Sequence, residues 1–157
     1  MKVYADTSFL VKLLTREQGS EAAVGEFRRL GRPALVYLPL HALETENAIR
    51  LKAYTARQSL PAGERKDAER ETVAALDRLQ HGLQRGFFQG ATADWESALS
   101  QAREMSRQHT EKMGARSLDL LHVAVALQMR SECFLTADEC QAKVATLAGL
   151  HVVLLRD

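Results

Sequence analysis

One local pattern, repeated along the chain, limits what it can fold into. A short apolar run, too short for a core helix, ends in an acid, a hydroxyl or a proline and passes at once into helical periodicity. Val3-Tyr4-Ala5 runs into Asp6-Thr7-Ser8 and then into Phe9, Leu10, Leu13 and Leu14 at helical spacing. Ala34 to Leu38 is stopped by Pro39, and Cys133-Phe134-Leu135-Thr136 leads to Ala137-Asp138 and another helical stretch. With a short run at 86–90 and a last one at 151–155, the strands alternate with helices expected at 8–15, 19–30, 41–57, 62–84, 92–112, 118–129 and 138–148. Thr92 is expected to cap the fifth helix. Alternation of this kind predicts an α/β chain whose parallel sheet is covered on both faces, with a helical insert near 60–90.

At 157 residues and 46% hydrophobic content the chain can bury one core, so a single domain over 1–157 is expected. A net charge of +1 argues neither for nor against a nucleic-acid partner; a basic face would have to be a local patch. Cys133 and Cys140 form no disulfide framework or metal pattern and read as reduced thiols, one in a strand and one in a helix. The N-terminal apolar tract is interrupted by Asp6 and Lys12, so it reads as neither signal peptide nor membrane span, and a soluble cytoplasmic protein is expected.

Four acids stand where acids need a reason. Asp6 sits at the carboxyl end of a strand, where open α/β sheets collect ligands, although a helix cap would also explain it. Glu44 falls within a stripe formed by Leu40, Leu43, Asn47, Ala48 and Leu51, with Glu46 about 200° round the helix. A carboxylate buried there needs a cation, a proton or a metal; a salt bridge to Arg50 is the plainer alternative. Asp119 and His122 alone interrupt an otherwise apolar helix from Leu118 to Leu127, three residues apart on one face. Asp119 could serve the helix dipole, and His122 reads as a hydrogen-bonded core residue. Asp138 repeats the pattern of Asp6 and could likewise be only a cap. Crowded together, four carboxylates repel unless a divalent cation neutralises them, and oxygen-only ligands favour Mg²⁺ or Mn²⁺ over zinc.

Taken together, Val3-Tyr4-Ala5-Asp6-Thr7-Ser8, Leu43-Glu44-Thr45-Glu46-Asn47-Ala48, Leu118-Asp119-Leu120-Leu121-His122 and Leu135-Thr136-Ala137-Asp138 resemble the PIN-domain proteins, and among them the VapC-like ribonuclease toxins of toxin–antitoxin pairs. The resemblance implies a three-layer α/β/α fold with a parallel sheet of four or five strands. It also implies metal-dependent hydrolysis of single-stranded RNA, with Asp6, Glu44, Asp119 and Asp138 as catalytic and metal-binding acids and Ser8, Asn47 and Thr136 as accessory polar positions. Mg²⁺ or Mn²⁺ is the implied cofactor, and RNA, a cognate antitoxin and a second copy of the chain are the implied partners. Phosphate contacts are expected among Arg28, Arg29, Arg32, Lys52, Arg57, Arg103, Arg107, Lys112 and Arg116. The competing expectations are a PIN-fold module that binds RNA or a partner with weak hydrolysis, and a phosphatase or 5′-nuclease-like hydrolase of another substrate.

Overall fold

The computed structural model describes residues 2–156. Its elements run β1 (Val3–Ala5), α1 (Thr7–Leu14), α2 (Ser20–Arg29), β2 (Leu35–Tyr37), α3 (Pro39–Ser59), α4 (Ala62–Gln84), β3 (Phe88–Gly90), α5 (Trp95–Met113), α6 (Ser117–Gln128), β4 (Cys133–Thr136), α7 (Glu139–Leu147) and β5 (Val152–Leu154). All strand pairings are parallel, in the order β3-β2-β1-β4-β5. The expected α/β/α architecture is therefore present, with five strands. Cys133 lies in β4 and Cys140 in α7, and both are free thiols. No helix among the described residues is long and apolar enough to cross a membrane.

The layers follow from strand alternation and crossover handedness. Val3 and Ala5 of β1, Leu35 and Tyr37 of β2, and Cys133 and Leu135 of β4 pack one way, against Phe9, Leu10 and Leu14 of α1, Ile49 of α3 and Leu79 of α4. Tyr4, Val36 and Phe134, the intervening residues, face the opposite way onto α5, α6 and α7. The chain grows outward from β1 through β2 to β3, then returns to β4 on the other side of β1. Parallel crossovers keep one hand, so reversing the direction of growth moves the connecting helices to the other face. The reversal leaves a switch point between β1 and β4, whose carboxyl ends carry Asp6 and Thr136.

The structure corrects several local expectations. Asp94, not Thr92, caps α5: its carboxylate accepts the Ser97 N–H at 3.1 Å. The cap role that Asp6 also offered is present, its carboxylate accepting the Phe9 N–H at 2.9 Å at the start of α1. On α3 the expected inward stripe is turned outward. His41, Thr45, Ile49, Ala53 and Ala56 are the buried positions, whereas Leu43 is 70% exposed and Leu51 55%. Helix α4 packs inward only near its end, through Ala75, Leu79 and Gly82. A Cβ at Gly82 would stand 2.4 Å from the Phe88 ring, so glycine is what lets α4 close onto β3.

Candidate active site

Asp6, Glu44, Asp119 and Asp138 line one cleft of about 580 Å³ at the carboxyl edge of the sheet, together with Thr7, Ser8, Arg116, His122 and Gln141. Local structure carries each acid there, Asp6 and Asp138 both as helix caps. Asp6 extends β1, its N–H donating to the Leu135 carbonyl at 2.9 Å while its side chain caps α1. Asp138 caps α7 by accepting the Gln141 N–H at 2.8 Å. Asp119 stands in the first turn of α6 and accepts the N–H of its own cap residue, Arg116, at 3.3 Å. Glu44 projects from the second turn of α3.

Asp6 is the buried member, 3% exposed. Its Oδ1 accepts the Phe9 N–H at 2.9 Å and Ser8 Oγ at 2.8 Å, and its Oδ2 stands 2.8 Å from Thr136 Oγ1. Ser8 in turn accepts the Ala137 N–H and Thr136 the Asp138 N–H, so two hydroxyls tie the ends of β1 and β4 together. Burial pushes the Asp6 carboxyl up to about 6, against the Phe9 N–H, the charge of His122 and the Ser8 and Thr136 hydroxyls, which pull it down. Neutral donors satisfy its hydrogen-bonding capacity without matching its charge.

Glu44 has different neighbours. Its Oε2 lies 2.5 Å from His122 Nε2 and accepts from Thr7 Oγ1 at 3.0 Å. Burial raises its carboxyl, but the His122 hydrogen bond and charge, the Thr7 hydroxyl and the charge of Arg116 outweigh that and hold it below the usual carboxylate range. The plainer alternative, a salt bridge to Arg50, is not formed, because Arg50 reaches Glu46 one turn back on the exposed side. Asp119 and Asp138 share one guanidinium: Arg116 Nε donates to Asp119 at 2.9 Å and its Nη2 to Asp138 at 2.9 Å.

Of the accessory positions, Ser8 and Thr136 contact Asp6 directly, while Asn47 is exposed and lines no part of the cleft. Of the expected phosphate-binding cations, Arg116 lines the cleft and the others do not; Lys12, absent from that set, does. Lys52 instead pairs with Glu17 at the cleft rim, Arg29 with Glu26, Arg57 with Glu69 and Arg107 with Glu104. His122, read from the sequence as a core residue, is buried and also borders the cleft. Its spacing of three from Asp119 was the available signal. Thr7 stands within the motif around Asp6 but that motif assigns it no role, and Gln141 carried no signal.

Among the described residues no three acids, histidines or cysteines stand close enough together to hold one ion as the side chains lie. The donor set nevertheless fits a hard divalent cation. It consists of carboxylates and hydroxyls from separate segments facing one cleft, and Arg116 holds a positive charge between Asp119 and Asp138.

Among solved structures, the chain is similar to the FitAcB crystal structure from Neisseria gonorrhoeae at 18% identity, covering 96% of this chain and 95% of that one with a TM-score of 0.58. It is also similar to a domain of a functionally unknown protein from Methanocaldococcus jannaschii, at 15% identity, 99% and 91% coverage and a TM-score of 0.51. At these identities the likeness is one of fold. No curated protein matches the chain. The sequence profile of the PIN domain matches residues 3–147, a span that contains all four cleft acids, and this chain therefore belongs to the PIN domain family.

Proposed function

We propose that this chain is a metal-dependent endoribonuclease cleaving single-stranded RNA, and the toxin of a toxin–antitoxin pair, acting as a single PIN unit in the cytoplasm. The observation that carries the reading is the convergence of Asp6, Glu44, Asp119 and Asp138 on one cleft from four separate segments. A binding module gains nothing from an acidic cluster that repels phosphate. A family whose members are generally metal-dependent nucleases supplies the chemical class.

In this reading Asp6, Glu44, Asp119 and Asp138 are the catalytic acids and would hold Mg²⁺ or Mn²⁺. Such an ion supplies the charge that activates water at neutral pH and stabilises charge on the phosphate. Ser8 and Thr136 fix both oxygens of Asp6, so that its orientation is set before any ligand arrives. The buried strand end excludes bulk water from Asp6, where an opposite charge is worth more than at the surface. Arg116, 73% exposed, is free to turn from its acids toward an RNA phosphate.

An antitoxin segment would cross the same cleft and place a lysine or arginine among the acids. A homodimer belongs to the same proposal, with exposed Leu51 and Tyr54 on α3 and Val73 on α4 as apolar surface for it. The experiment is a hydrolysis assay with purified protein and Mn²⁺ across single-stranded RNA, DNA and small phosphate esters. Cleavage of RNA that chelation abolishes is expected. RNA binding without cleavage would instead identify a binding module, and turnover of small esters alone a different hydrolase. Growth arrest on expression, relieved by the product of a small neighbouring gene, tests the toxin role.

A further inference from the structure

Two buried histidines lie side by side under the sheet's carboxyl edge, with ring centroids 5.1 Å apart, and they spend their nitrogens differently. His41 uses both on backbone: Nδ1 accepts the Leu38 N–H at 3.1 Å and Nε2 donates to the Ala5 carbonyl at 3.0 Å. That completes a structural role. His122 is 2% exposed, too buried to meet RNA, yet its Nε2 lies 2.5 Å from Glu44 Oε2 in the cleft.

The other side of the His122 ring explains why it points there. Nδ1 stands 2.8 Å from the Tyr4 hydroxyl, and Tyr4 is itself fully buried, its ring stacked on Phe134 with centroids 5.6 Å apart. The Tyr4 hydroxyl can donate or accept, so it holds the ring with Nδ1 toward itself and Nε2 toward the cleft. The Glu44 carboxylate can only accept, so Nε2 carries the proton of that hydrogen bond. Thr7 Oγ1 donates to the same Oε2 at 3.0 Å. Among the described residues both donors to Glu44 fall on Oε2, and none falls on Oε1.

Glu44 has reason to need this. It projects from a helix whose neighbouring turns expose Leu43 and Leu51 to solvent, and a glutamate there has several rotamers open to it. We infer that His122, oriented by Tyr4, is a positioning residue that clamps Glu44 by one oxygen and leaves Oε1 as its ligand-facing atom. The inference rests on the metal-dependent reading of the cleft and assigns His122 no contact with substrate.

The test is Mn²⁺ titration calorimetry on the purified full chain, with Asp6→Asn as the control for the underlying reading. Wild type should bind Mn²⁺ and Asp6→Asn should lose it; if wild type fails to bind, or Asp6→Asn binds equally, the metal reading falls and the inference with it. With that control satisfied, His122→Leu should bind Mn²⁺ roughly 10- to 100-fold more weakly, as removal of a ligand's orienting partner does. His122→Gln keeps a donor near the Nε2 position and should recover most of that loss. Thr7→Val, which removes the second donor to the same oxygen, should weaken binding in the same direction and serves if His122→Leu does not fold. In the RNA assay kcat should fall with KM unchanged. Equal Mn²⁺ affinity in wild type, His122→Leu and Thr7→Val would overturn the inference, as would a rise in KM with Mn²⁺ affinity intact.

Discussion

The two ends of the acidic cleft hold their charge by opposite means. At the strand end Asp6 is buried and surrounded by neutral donors, Ser8, Thr136 and the Phe9 N–H. At the helix end Asp119 and Asp138 share the Arg116 guanidinium at a surface where that side chain is 73% exposed. Dipoles can orient a buried carboxylate, but they do not cancel its charge, so the strand end is where a cation gains most. The helix end already has a counter-charge, in a setting where water screens the pair and makes it worth little. Preorganisation is concentrated at Asp6 and adaptability at Arg116.

The largest expected effect breaks the strand end. Asp6→Asn keeps the shape and an acceptor for the Phe9 N–H but removes the charge, and should lower RNA cleavage by about a thousandfold or more, roughly 4 kcal/mol of barrier. The same variant should unfold at higher denaturant than wild type in metal-free buffer at pH 7, because it buries no charge. Single-turnover cleavage and urea denaturation read the two effects.

The pH dependence of stability comes next. The folded carboxyl of Asp6, near 6, lies above its unfolded value, so its contribution is fully present below about pH 4 and is lost as pH rises through 6. The total loss is about 3 kcal/mol, measured by urea unfolding between pH 4 and 8 without divalent ions; Asp6→Asn should abolish it and Mn²⁺ should offset it. Glu44, held low, acts in the opposite sense: its contribution is present above the unfolded value and is lost as pH falls. Denaturation curves on a Glu44→Gln variant separate the two.

Thr136→Val sharpens the comparison by removing one hydroxyl from the dry end. That leaves Asp6 short of a donor and the Asp138 N–H short of an acceptor, at a cost of about 1–3 kcal/mol in thermal or chemical unfolding. Arg116→Ala should be the mildest for the fold, under about 1 kcal/mol, since the pairs it breaks are exposed. In RNA binding it should reduce the salt slope by about one unit, which binding isotherms at several salt concentrations would show.

Much of this molecule was legible in local pattern. The strands at β1 and β4, the helix after each, and the acids at their carboxyl ends follow from apolar runs that stop at capping residues. The continuous burial of Leu120 to Ala126 in α6 follows from a helix apolar on nearly every side. Helix α3 was harder. Periodicity correctly groups Leu43, Asn47 and Leu51, but a grouping does not say which side faces the sheet. The core took His41, Thr45 and Ile49, because His41 could satisfy both nitrogens on backbone there.

By itself, then, the sequence determined the strand–acid–helix units, the α/β class and the residue types available to the cleft, since these depend on neighbours a few positions apart. Tertiary structure decided which charges meet. Glu44 and His122 are 78 positions apart, Arg116 and Asp138 are 22 apart, and Asp6 and Thr136 are 130 apart. Those meetings depend on the reversal that puts β4 beside β1, and on which flank of α3 the cleft receives. Hydrophobic spacing specifies that a helix will pack; the direction it turns is fixed by the sheet it packs on.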